Sequence, residues 1–131
     1  MPHEDGGAYY PIVATVSLGG SVVLDLYEKG GDGDGGDSDG GRPSPRFRIL
    51  QERRSLLVTT GKLYTDYLHG IAESVRDEGL GPGTVCNWGL LRETERYASG
   101  GLERETRVSL TYRDVIRVAK VGNMMKFLRG K

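Results

Sequence analysis

Residues 107–113 read Arg-Val-Ser-Leu-Thr-Tyr-Arg, an unbroken alternation of polar and apolar side chains. A period of two over seven residues belongs to a strand, because successive side chains on a strand point to opposite faces. A helix would instead repeat its apolar residues every three or four positions. The rest of the chain follows the same rule. Residues 9–27 are rich in β-branched side chains and broken at Gly19-Gly20, which predicts two strands joined by a tight glycine turn. Pro11 predicts a strand start or an edge. Strand character returns at 47–50 and 55–60, Gly61-Lys62 reads as a turn, and 63–71 carries His69 into the fold. Several strands with glycine turns and few helical periods predict a mainly β fold, a sandwich or jelly roll.

Two stretches interrupt this pattern. Residues 29–46 are Gly- and Asp-rich with no apolar side chain able to pack, and read as a disordered insertion. Their acidic spacing does not make a calcium loop, since no register supplies Asp at positions one, three and five with Glu at twelve. Residues 72–103 are Gly-rich and mixed in charge, and read as a long irregular loop with one helical turn at most; Trp88 within it reads as a local packing residue. The 131 residues are enough for one domain with a core.

Lys plus Arg and Asp plus Glu both number 18, which excludes a global basic footprint. Residues 103–131 nevertheless carry eight basic and three acidic side chains, a polyanion surface or, more conservatively, a solvated face. The single cysteine, Cys86, allows no internal disulfide and fits a reducing compartment, cytoplasm or nucleus. No apolar run approaches transmembrane length, so no membrane partner is expected.

The candidate chemistry lies in three separate pieces. His3 and Asp5 are two apart, so on a strand an imidazole and a carboxylate reach the same side. His69 is the only other histidine. Two His and one carboxylate suit ferrous iron and leave coordination positions open. Read singly, His3 is an exposed terminal residue and His69 a buried, backbone-bonded one. The third piece is the polar face of the 107–113 strand, with Arg107 and Arg113 at its ends and Ser109 and Thr111 between. Arginine forks match carboxylates. The two backbones would stand about 20 Å apart at roughly 3.3 Å per residue, so both side chains must reach inward to share a dicarboxylate. The apolar face would pack. On pattern alone, a solvent-facing edge strand explains the alternation slightly better.

The order His-x-Asp, distant His, Arg-x-Ser-x-Thr-x-Arg resembles the AlkB-type iron- and 2-oxoglutarate-dependent dioxygenases. Met-Pro-His-Glu-Asp-Gly, Tyr-Tyr-Pro, Ser-Leu-Gly, Val-Leu-Asp-Leu-Tyr, Arg-Ser-Leu-Leu-Val, Leu-His-Gly-Ile and Thr-Arg-Val-Ser-Leu-Thr-Tyr-Arg are similar to the subgroup called the sixth AlkB homologue. The resemblance implies a double-stranded β-helix (jelly roll), of which this chain looks like the C-terminal part. The Asn-x-Tyr element of the family and its first strands have no counterpart here.

The resemblance also implies His3, Asp5 and His69 as Fe(II) ligands, and Arg107, Ser109 and Arg113 around 2-oxoglutarate. Arg107 is expected at the distal carboxylate and Arg113 near the metal-bound one, with Thr111 supporting the strand. The implied activity is an oxidative demethylation or hydroxylation using O2, with single-stranded or flipped-base nucleic acid as the expected partner. Two other readings fit the same residues. One is an inactive remnant that only binds; the other is a non-redox jelly-roll protein holding zinc or manganese.

Overall fold

The computed structural model describes residues 1–30 and 44–117. Among them run β1 (Tyr9–Gly19), β2 (Val22–Glu28), β3 (Phe47–Gln51), β4 (Ser55–Thr60), β5 (Tyr67–Gly70), β6 (Arg76–Glu78), β7 (Gly101–Glu103) and β8 (Arg107–Val115). They form two antiparallel three-stranded sheets, β4-β1-β8 and β3-β2-β5, and a two-stranded ribbon, β6-β7. The fold is mainly β, as the period-two pattern predicts. The Gly/Asp-rich insertion expected at 29–46 lies mostly outside the described residues, as does the basic tail from Lys120 onward.

The turn predicted at Gly19-Gly20 is not a hairpin. β1 belongs to one sheet and β2 to the other, so the glycines form a corner where the chain changes sheets. The Gly20 N–H donates to the Thr106 carbonyl at 2.8 Å. A Cβ on Gly20 would lie 2.8 Å from the Glu105 carbonyl oxygen. Gly19 takes φ 75°. These glycines therefore serve close backbone approach and a left-handed φ rather than a two-residue turn. Of the two positions expected for Pro11 the strand start is the nearer, two residues into β1, and the edge is not met, since β1 is the central strand of its sheet. Pro11 falls where the β1–β8 register slips, between Tyr9↔Val115 and Val13↔Arg113. A residue without an N–H is tolerated at such an irregularity. Gly61 opens a short helix, α1 (Lys62–Thr65), instead of a simple turn.

The core lies on the outer side of the second sheet, away from the first. Val23 and Leu50, paired across β2 and β3, pack against Leu80, Val85 and Tyr97 of the 72–103 segment. Trp88, Leu91 and Leu102 close the cluster, so Trp88 packs locally as its setting predicts. Each fully buried Val or Leu contributes about 1.5–3 kcal/mol by leaving water. The segment expected as an irregular loop holds β6, β7 and two 3-10 turns, Trp88–Leu90 and Thr94–Tyr97. It is the lid on the outer face of the second sheet.

The first sheet has no such lid among the described residues. Its outer face aligns Leu56, Val16 and Leu110 in one row and Val58, Ala14 and Tyr112 in the next. Leu56, Val58, Leu110 and Tyr112 are all exposed. The apolar face of β8, expected to pack, is therefore bare, because no described element covers it.

Candidate metal and carboxylate site

The inner faces of both sheets enclose a cavity of about 400 Å³. Alternation delivers its walls. On β1 the inward residues include Val13, Thr15 and Ser17, and on β8 they are Arg107, Ser109, Thr111 and Arg113. Leu24 and Leu26 of β2 form an apolar floor. His3, Asp5 and His69 line the same cavity. All three sequence pieces thus meet in one place.

His3 is tied into the sheet. It forms an antiparallel bridge with His69, each backbone N–H donating to the other's carbonyl at 2.9 Å. Gly70 makes room for this added strand, since a Cβ there would stand 3.2 Å from Pro2 Cα. The two imidazole centroids lie 4.5 Å apart. Burial is the main cause lowering the His69 pKa from its ordinary value; Asp5 opposes it, while His3 and Arg113 add to it. His69 is therefore neutral near pH 7, with a ring lone pair free to bind a cation.

Asp5 follows two residues after His3, with its carboxylate 8 % exposed. Arg113 Nε donates to Asp5 Oδ1 at 2.7 Å, and Arg113 Nη2 makes a second contact with the same oxygen. Both contacts go to Oδ1. No three His, Cys, Asp or Glu side chains among the described residues stand together as an assembled metal cage. The donor chemistry nevertheless fits a borderline divalent cation: two imidazoles and one carboxylate border one space.

Arg107 is held differently. Its Nη2 donates to Ser17 Oγ at 2.9 Å and to Gln51 Oε1 at 2.8 Å. Its Nε is buried without a partner, and burial lowers its pKa from the ordinary guanidinium value. A desolvated cation facing only neutral acceptors is a receptor for an anion. Ser109, Thr111 and Arg113 are exposed at the open side of the cavity. β8 is an edge strand, as its pattern alone suggests, and lines the cavity as well.

Sequence reasoning missed Ser17 and Gln51. The signal was a small polar residue among β-branched neighbours on the inward register of β1, and a polar end to the apolar run of β3.

No family model matches the chain. The chain is nevertheless an AlkB-type homologue. Over 120 residues it is 32 % identical to the Danio rerio protein described as probable RNA/DNA demethylase ALKBH6, an alignment covering 92 % of this chain. The chain spans about half the length of that relative, 49 %.

Proposed function

We propose that this chain belongs to an Fe(II)- and 2-oxoglutarate-dependent oxygenase of the AlkB type that oxidatively demethylates nucleic acid in the nucleus or cytoplasm. The observation that carries the reading is the convergence of His3, Asp5, His69, Arg107 and Arg113 on one cavity. When bound, iron, O2 and 2-oxoglutarate together supply the oxidising power to hydroxylate a C–H bond, and a hydroxylated N-methyl group then leaves as formaldehyde.

The residues divide the remaining work. His3, His69 and Asp5 would hold the metal, with Asp5 using the oxygen that Arg113 leaves free. Arg113 fixes the Asp5 carboxylate and stands beside it to meet the near carboxylate of 2-oxoglutarate. Arg107 would take the distal carboxylate, and Ser109 and Thr111 would complete the wall between them. Leu24 and Leu26 keep the floor dry, which strengthens every charge interaction above it. A base reaches such a cavity only when single-stranded or flipped from its duplex.

A second reading, a chain that binds without catalysis, is favoured by one observation: Asp5 is engaged by Arg113 rather than grouped with the histidines. Succinate formation separates the two. Iron-dependent conversion of 2-oxoglutarate to succinate by the folded chain is the expected result; none, with ligand still bound, leaves the binding reading.

A further inference from the structure

We infer that Ser17 and Gln51 are positioning residues that aim the Arg107 guanidinium at a carboxylate entering the cavity. The inference rests on the functional reading above and extends it to two residues outside the recognised pattern. Ser17 is fully buried on β1, and Gln51 is buried at the end of β3, in the opposite sheet. Ser17 Oγ donates to Gln51 Oε1 at 3.0 Å. Arg107 Nη2 donates to both, which closes a triangle spanning three strands and both sheets. A long arginine side chain loses much rotamer freedom when it is held. Here that cost is met before any ligand arrives, so a carboxylate meets a guanidinium already in place.

The chemistry of the holders matters as much as their position. Both are neutral acceptors, and no Asp or Glu among the described residues pairs with Arg107. An acid at position 51 would hold the guanidinium equally well but cancel its charge. A glutamine holds it and leaves the charge for the ligand. Position 51 therefore sets carboxylate affinity without contacting the carboxylate.

The test uses the full chain with Mn(II), titrated calorimetrically with 2-oxoglutarate and with 2-oxobutyrate, a keto acid lacking the distal carboxylate. Wild type should bind 2-oxoglutarate more tightly. Gln51→Glu should weaken 2-oxoglutarate by roughly tenfold or more while leaving 2-oxobutyrate within about twofold and the melting temperature unchanged or raised. Ser17→Ala is the gentler second variant. It should weaken 2-oxoglutarate selectively as well, and it carries the test if the glutamate variant does not fold. A wild type that prefers 2-oxoglutarate, with variants that keep the full preference, overturns the positioning role alone. A wild type that binds neither keto acid overturns the functional reading and this inference with it.

Discussion

Asp25 sits on the face of β2 that is turned away from the cavity, under the 72–103 segment, and is 8 % exposed. Its nearest cation is Arg48, with Nε 3.4 Å from Oδ1, too weakly placed to count as a hydrogen bond. Burial raises its pKa; the Arg48 charge lowers it, Asp77 raises it, and Arg104 lowers it. A carboxyl with a raised native pKa holds its proton more tightly folded than unfolded, so it costs stability as pH rises through that value. Asp25→Asn should therefore stabilise the chain near neutral pH by a few degrees in Tm, and the gain should shrink toward about pH 4. Melting curves at both pH values check this; a gain independent of pH contradicts it. His3, Asp5, His69, Arg107 and Arg113, which line one cavity, were picked out of the sequence as a set by the family resemblance, since each piece read singly has a bland explanation. Ser17 and Gln51 were not, because their roles exist only where two sheets bring positions 17, 51 and 107 together.

At the scale of elements, the 72–103 segment decides how the second sheet is covered. Its apolar side chains are few, and buried polar groups pin it. Glu52, 7 % exposed, accepts the backbone N–H groups of Arg92 and Glu93 at 2.9 and 3.0 Å. Asn87 copies a strand neighbour: it accepts the Leu50 N–H at 3.0 Å and donates to the Leu50 carbonyl at 2.9 Å. Arg104 clasps Asp77, with Nε to Oδ2 at 3.0 Å and Nη2 to Oδ1 at 2.6 Å. Asp77 is 4 % exposed and Arg104 partly buried, so removing Arg104 strands a buried carboxylate and removing Asp77 takes the main partner from a part-buried guanidinium and an acceptor from the Val23 N–H.

Asp77→Ala should cost about 3 kcal/mol and Glu52→Ala about 2 kcal/mol, both measured by urea unfolding. Equal and negligible losses would contradict the pinning role. Glu93, by contrast, is only partly buried, its side chain 29 % exposed; hydrogen bonds from Arg53 and Arg96 pull its pKa down to about 2. Its contribution is present above the usual carboxylate range and fades as pH falls through about 2, and solvent screening makes Glu93→Ala nearly silent at neutral pH. Sequence reading could not see this lid. Its strands are three residues long, and its anchors are single polar side chains with no periodicity.

Over the whole molecule, the two sheets are treated unequally. The second has a lid and the core; the first keeps Ile12, Leu56, Val58, Val108, Leu110 and Tyr112 exposed on its outer face. A contiguous apolar face of a three-stranded sheet is at the limit of what a soluble chain leaves bare. The isolated chain should therefore self-associate with rising concentration. Sedimentation velocity checks this, and Leu56→Lys with Leu110→Lys should restore a single slow species. A chain that stays monomeric at every concentration contradicts it. The alternation of β8 foretold its two faces but not that the apolar one would lack a cover among the described residues, because one strand's pattern carries no information about what packs on it.

The cavity brings His3, Asp5 and His69 together with Arg107 and Arg113, donors suited to a metal beside guanidinium groups suited to a dicarboxylate. An anaerobic titration of the chain with ferrous iron and 2-oxoglutarate tests this pairing most directly. The expected result is the weak visible absorption of an iron–keto acid chelate, saturating at one equivalent and abolished in His69→Ala and Asp5→Ala. A folded chain that gives no such band, or a band that both variants retain, contradicts it.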